Sequence, residues 1–197
     1  MKVLIIYCHP SNNSFTYHIK EEFIRGLVAA GHQYDVSDLY GMEFNETFSE
    51  NEYYREGFYN ESLCVPKDVL IEQKKINNAD IITFIYPVFW TEAPAKLVGW
   101  FQRVWTFGFA YGPVPTMKQL NKALFLVCMG GNINDSIRIE QVKAMEIVML
   151  GDRISDRAKE KEMIVFDQMT RECGNERKRE DNAVIFLKKI YETGYGL

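Results

Sequence analysis

The sequence predicts an α/β domain built on a doubly wound, five-stranded parallel sheet in the order 2-1-3-4-5. Three observations carry that expectation. Apolar runs of strand length alternate five times with helix-period patterns, the signature of strand–helix–strand units. The first run, Val3-Leu4-Ile5-Ile6-Tyr7, is continuously apolar, as in strands covered on both faces. No linker, repeat or low-complexity tract interrupts the 197 residues, so residues 1–197 read as one domain.

After the first strand, Ser14 stands at the N-cap of a helix whose Phe15, Ile19, Phe23 and Leu27 recur every four residues, and Gly31 closes it. Tyr34–Ser37 alternates as a short second strand near an edge. Residues 40–64 form a long connection carrying Tyr40, Phe44, Phe48, Tyr53, Tyr54, Phe58 and Tyr59, with Ser49-x-x-Glu52 as a capping box for a short helix. Connections of this length are functional or disordered, and the aromatics argue against disorder. Pro66–Asn78 reads as a helix. Ala79–Tyr86 is a third strand, ended by Pro87. Pro94–Trp105 is a helix with proline at its start and Leu97, Phe101 and Val104 on one face. Ala123–Cys128 is a fourth strand running into Gly130-Gly131. Ser136–Leu150 is helical, with Ile139, Val142, Met145 and Met149 on its apolar face. Met163–Phe166 is a short fifth strand, Thr170–Arg179 a charged surface loop and Glu180–Glu192 a final helix.

Composition removes several function classes. Lys and Arg number 23 against 27 Asp and Glu, a net charge of −4, whereas a nucleic-acid protein needs a basic surface. Cys8, Cys64, Cys128 and Cys173 lie far apart without zinc or iron–sulfur spacing, so no metal is expected. In the 2-1-3-4-5 order Cys8 and Cys128 end strands two spacings apart, about 10 Å, too far for a disulfide. The apolar N-terminal run is too short for a secretory core. No stretch approaches the roughly 20 apolar residues of a membrane span. The expected setting is the cytoplasm, with reduced thiols. Aromatic residues make up 14% of the chain, enough to build a pocket for a flat ligand as well as a core.

In open α/β sheets ligands sit beyond the carboxyl ends of the strands, where strand order reverses, which singles out loops 8–15, 87–93 and 128–136. The first offers His9, Ser11, Ser14 and Thr16, amides and helix N–H groups, with no acidic residue, and makes an anion cradle. The second places Phe89 and Trp90 at a strand end, as walls for a planar ring. The third carries Gly130-Gly131, where a backbone can approach a ligand closely. There is no GxGxxG after the first strand and no GxxxxGK[ST], so neither a Rossmann dinucleotide site nor a P-loop is indicated. A phosphate cradle beside a flat slot suits a flavin mononucleotide unit.

Two stretches carry a family resemblance. His9-Pro10-x-x-x-Ser14-Phe15-Thr16 resembles a His-Pro-x-x-x-Ser-Phe-Asn phosphate loop. Tyr86-Pro87-Val88-Phe89-Trp90 through Ala93-Pro94-Ala95-Lys96-Leu97-Val98-Gly99-Trp100, with Arg103-Val104 and Gly108-Phe109-Ala110-Tyr111, resembles a longer and more specific run. Both are similar to the flavodoxin-fold NAD(P)H:quinone oxidoreductase family, which includes DT-diaphorase and the ancillary oxidoreductases of bacterial potassium-efflux systems. The likeness extends to about residue 135. It implies a flavodoxin-like single domain and a tightly bound flavin, FMN or FAD. NAD(P)H would be the co-substrate, with hydride passing through the flavin to a quinone-like acceptor. It also implies a homodimer with the site at the subunit interface. By the same resemblance His9, Ser14, Phe15 and Thr16 hold the flavin phosphate, Pro87, Val88, Phe89 and Trp90 wrap the ring, and Gly130 and Gly131 meet its pyrimidine end. The flavin itself carries the hydride, so no side chain is named as catalytic. Thr16 replaces the more usual asparagine, and the tyrosine and histidine that follow the paired glycines in the best-studied branch are absent from Asn132–Gln141; their role either falls to a residue of the 40–64 connection or is dispensed with. Two further readings are a regulatory flavoprotein that contacts a membrane transport protein and a flavodoxin-type electron carrier. The modest charge and His9-Pro10 argue against the second.

Overall fold

The apolar run at the N-terminus becomes the centre of the sheet. In the computed structural model, which describes residues 1–171 and 176–197 (the backbone alone for Glu176), β1 (Lys2–Tyr7) is buried from Val3 to Tyr7. It pairs in parallel with β2 (Gln33–Asp38) on one side and β3 (Ile81–Pro87) on the other. β4 (Leu120–Cys128) and β5 (Ala158–Phe166) extend the sheet to the order β2-β1-β3-β4-β5, as the alternation of elements predicts. The direction of winding reverses between β1 and β3, so the loops leaving them part and open a crevice. Register keeps the carboxyl ends level: Tyr7 faces Ile85, Pro87 faces Cys128, and Cys128 faces Phe166.

Because successive strand residues point to opposite faces, the buried strands feed two apolar layers. Val3, Ile5, Tyr7, Ile85, Leu124 and Leu126 meet Ile19, Phe23 and Leu27 of α1 (Phe15–Ala29) and Ile190 of α6 (Glu176–Tyr195). Leu4, Ile6, Phe84, Tyr86, Phe125 and Val127 meet Val69 and Ile76 of α3 (Lys67–Asn78), Leu97, Trp100 and Phe101 of α4 (Ala95–Val104), and Met145 of α5 (Ser136–Glu146). Phe186 packs half-buried against the first layer. The Ser14 cap forms as expected, its Oγ accepting from Tyr17 N–H, and Gly31 closes α1 with φ of 75°.

Several boundaries differ from expectation, each for a visible reason. β5 spans nine residues rather than Met163–Phe166, because Lys159 to Glu162 lie exposed on an edge strand and break the apolar pattern. β4 starts at Leu120, and β3 includes Pro87, whose missing N–H falls at the strand's last position. Pro94 caps α4 from outside instead of opening it. α5 gives way to a π-helical segment, Ile147–Ile154, and this change of period leaves Ile139 exposed while Met145 and Met149 are buried. α6 begins at Glu176, not Glu180, so most of the expected loop 170–179 is either helix or, at 172–175, outside the described residues. Cys173 also lies there, while Cys8, Cys64 and Cys128 are free thiols.

The 40–64 connection is ordered. Ser49 and Glu52 form the full capping box of α2 (Glu50–Gly57). The connection lies against α3 and α4, held by Arg103, which bonds Asn45 O, Glu52 and Asp68, and by Lys96, which bonds Phe44 O and Glu46. Phe44 is buried there, whereas Tyr53, Tyr54, Phe58 and Tyr59 remain exposed. Among the described residues no helix is long and apolar enough to cross a membrane.

Candidate active site

The loop after β1 is braced by its own side chains. His9 Nδ1 accepts from Ser11 N–H at 2.9 Å, Ser11 Oγ accepts from Asn13 N–H at 3.1 Å, and Ser14 Oγ donates to Ser11 O at 3.0 Å. This leaves the first N–H groups of α1, at Phe15 and Thr16, without intrahelical acceptors. Burial, with the Arg171 charge beside it, holds the His9 imidazole below its ordinary pKa. Nδ1 lies 2.9 Å from both the N–H and the carbonyl oxygen of Ser11, so Ser11 fixes the orientation of the ring.

These groups line a pocket of about 270 Å³ together with Pro87 and Cys128. Its far wall comes from the chain after β5, through Met169, Arg171 and Arg179. Arg171 donates to Asn13 O at 2.9 Å. Arg179 Nε is buried and has no hydrogen-bond partner among the described residues. Two guanidinium groups and a helix N-terminus, with no carboxylate among the described residues of the wall, make an anion site, and the orphaned Nε is a donor awaiting an acceptor. Composition did not mark these arginines, which fall in a stretch that reads as charged surface. The available signal was positional, since the carboxyl end of β5 opens on the same crevice.

Beyond Pro87 the crevice widens to a second cavity of about 820 Å³. Val88, Trp90 and Thr91 form one side, and Met129, Gly130 and Gly131 another, with Ile137, Arg138 and Gln141 of α5 closing the third. Val88 N–H donates to Cys128 O at 2.8 Å, which locks the two loop bases together. Of the residues singled out in the sequence, His9, Ser14, Phe15, Thr16 and Pro87 line the smaller pocket, and Val88, Trp90, Gly130 and Gly131 the larger. Phe89 lines neither; it pairs with Glu92 and is half exposed.

That pairing makes Phe89–Glu92 a tight hairpin, with N–H···O bonds of 2.8 and 2.9 Å in both directions. Its two central residues, Trp90 and Thr91, have φ of 52° and 68°, the left-handed values of a type I′ turn. Asn-Gly is the sequence such a turn favours; a tryptophan and a β-branched threonine cost about 1–2 kcal/mol each. Trp90 is also 98% exposed, so packing does not offset the strain. Backbone strain of this kind clusters at ligand clamps and active sites. The double variant Trp90→Asn/Thr91→Gly is therefore expected to be more stable than the parent, by about 1–3 kcal/mol, while binding flavin less tightly. Thermal unfolding of the ligand-free protein and a flavin titration check both halves, and a lowered melting temperature counts against the strain.

Thiol chemistry does not fit the cavity. Burial pushes the Cys128 thiol up to about 11, against a lowering hydrogen bond from Thr16, and burial pushes Cys8 up to about 12. Both remain protonated and poorly nucleophilic at neutral pH.

A family model described as "Flavodoxin-like fold" matches residues 1–149. Among curated proteins, NAD(P)H dehydrogenase [quinone] 1 of Cavia porcellus is 36% identical over 153 residues, covering 66% of this chain and 54% of the relative. The chain thus spans about half the length of the curated relatives it matches. Among solved structures, the NAD(P)H:quinone oxidoreductase from Methanothermobacter marburgensis superposes with a TM-score of 0.89 at 38% identity, over 99% of this chain and 96% of that one. An FMN-dependent NADH-azoreductase from Bacillus anthracis, solved with FMN, gives a TM-score of 0.69 at 15% identity over 98% and 97%, a likeness of fold alone. With sheet order, crevice and both motif stretches in agreement, this chain belongs to the flavodoxin-fold family of NAD(P)H:quinone oxidoreductases.

Proposed function

We propose that the chain is a flavin-dependent NAD(P)H oxidoreductase that passes a hydride from NAD(P)H through flavin to a quinone-like acceptor. The observation that carries this reading is an arginine-lined pocket at a helix N-terminus lying beside a wider cavity at the switch point of the sheet. The names of the Cavia porcellus and Methanothermobacter marburgensis relatives support the reaction class. The residues present fit a flavin. Among the described residues Arg179 Nε has no partner and offers a donor to a phosphate, and a side chain at Gly130 would meet only Thr170, at 3.6 Å, so the backbone there is open to a ring.

When bound, the flavin supplies two-electron chemistry that no side chain here can perform. The protein's part is placement. His9, Ser14, Thr16 and the start of α1 hold the phosphate with Arg171 and Arg179. Val88, Trp90 and Thr91 cover one side of the ring, and Gly130 lets it approach the other, with Arg138 seated over Gly131. The open side of the larger cavity is left for nicotinamide and acceptor in turn. We take residues 1–197 as one flavin-binding unit, working as a homodimer in the cytoplasm, with FMN either alone or as part of FAD.

The test is direct. Purified protein, supplied with FMN or FAD and desalted, should retain the flavin bands at about 370 and 450 nm; a preparation that stays colourless overturns the reading. Arg179→Met should weaken flavin binding by about 10- to 100-fold, the loss of a charge-assisted hydrogen bond in a buried site. Flavin-loaded protein that oxidises NADH and NADPH no faster than free flavin would favour the regulatory flavoprotein instead.

A further inference from the structure

We infer that Arg138 is the charge-stabilising residue of the ring cavity, holding the negative charge that a flavin ring gains on accepting a hydride. This rests on the flavin reading above and on Arg138 being the one basic side chain among the described residues that line the larger cavity.

Arg138 sits in the first turn of α5 and lines the larger cavity opposite Val88 and Trp90. Its guanidinium lies against the backbone of Gly131, where a Cβ would stand 2.5 Å from Nε and 3.1 Å from Cζ. Gly131 thus does more than admit a ligand: its missing side chain is the space the cation occupies. Among the described residues the guanidinium makes one hydrogen bond, to a neutral group, NH1 to Gln141 Oε1 at 2.6 Å.

A half-buried arginine is ordinarily matched by a carboxylate, and here no such match is made among the described residues. Glu140 pairs with Lys143 at 2.8 Å. Asp167 accepts from Ile133 N–H at 3.0 Å and from Gln168 at 3.2 Å. Asp135, also on the cavity wall, is exposed and forms no ion pair with Arg138. The dipole of α5 adds to the positive potential at the same point. A fixed cation facing a partly closed cavity stabilises charge that develops there, without reorganising during the reaction.

With flavin bound, hydride transfer would break the C4–H bond of NAD(P)H, carry its proton and electron pair together to the ring and release NAD(P)⁺, leaving the ring one unit more negative. A cation beside the ring favours that state over the oxidised one, which raises the midpoint potential and speeds hydride arrival. A nucleotide phosphate on Arg138 is the rival occupant, and it would leave the potential untouched.

The experiment measures the two-electron midpoint potential of the FMN-loaded protein and of its Arg138→Gln and Arg138→Lys variants, with KM for NADH and NADPH alongside. Arg138→Gln is expected to disfavour the reduced ring about tenfold, a fall of about 30 mV for a two-electron couple, and Arg138→Lys to retain most of the parent potential. Where a variant holds flavin weakly, the ratio of its affinities for reduced and oxidised FMN gives the same quantity. An unchanged potential in Arg138→Gln overturns the inference, and if KM for NADPH alone rises, Arg138 serves the nucleotide phosphate. Parent protein that takes up no flavin overturns the flavin reading itself.

Discussion

Replacing Arg103 with alanine is expected to destabilise the protein by about 3–5 kcal/mol, the cost of breaking a buried ion pair by removing one partner. For a chain of this size that lowers the melting temperature by roughly 10 °C. The side chain is 3% exposed and serves three segments at once. Its Nε donates to Glu52 Oε1 at 2.7 Å, NH1 to Asn45 O and Asp68 Oδ2 at 2.5 Å each, and NH2 to Asp68 Oδ1 at 3.2 Å. The guanidinium also lies over the Phe44 ring, 5.3 Å from its centroid. Without it, Glu52 is left buried with only the Ser49 bonds to its other oxygen, and the 40–64 connection loses its main tie to α4. The double variant Arg103→Met/Glu52→Gln should recover part of the loss, because no charge is then stranded. The acid limb gives a second readout. Burial pushes the Asp68 carboxyl up, but the hydrogen bond and charge of Arg103 outweigh it and hold its pKa below 3.8. A carboxyl lowered on folding contributes stability above its unfolded pKa that is lost as pH falls through the folded value. The parent should therefore lose this contribution below about pH 4, and Arg103→Ala should show no such step.

What the amino-acid pattern reveals and what it hides divide along physical lines. β1, β3 and β4 are legible because strands covered on both faces must be apolar throughout, and their order follows from the regular crossovers between them. The solvated half of β5 is illegible for the converse reason: Lys159 to Glu162 bury nothing, and Lys122 meets Glu162 at 2.6 Å where a sequence pattern shows only scattered charge. The cavity divides the same way. Ser14, Val88, Trp90 and the paired glycines are local features at the ends of elements, readable from spacing. Arg138, Arg171 and Arg179 reach the crevice only because α5, the end of β5 and α6 converge on it. A lone arginine carries no period and no cap signature, so its destination is set by topology. Even the glycine pair is half legible, since the reason for Gly131 is an arginine seven residues later.

The same convergence makes Gly26 a residue on which both fold and site depend. α1 carries the phosphate loop at its start and α6 carries Arg179 at its start, and the two helices touch backbone to backbone further along. A Cβ at Gly26 would overlap the Tyr191 carbonyl oxygen and stand 2.8 Å from Tyr195 N; one at Gly194 would overlap Phe23 O and stand 3.2 Å from Phe23 Cδ2. Each glycine is thus the seat of the other helix. Intrinsic helix propensity favours alanine over glycine here, by up to about 1 kcal/mol. Overpacking against a rigid backbone acts the other way by about 3 kcal/mol, and it should win. Gly26→Val is expected to destabilise by about that amount and, by tilting α6 away from α1, to move Arg179 from Ser14 and Thr16 and weaken flavin binding as well. Thermal unfolding and flavin titration read the two effects separately. Gly194→Ala should act in the same direction. Combined with Gly26→Ala, it should cost less than the sum of the single changes, because helices already forced apart at one seat no longer collide at the other. A Gly26→Ala variant as stable as the parent would show that the helices do not meet there.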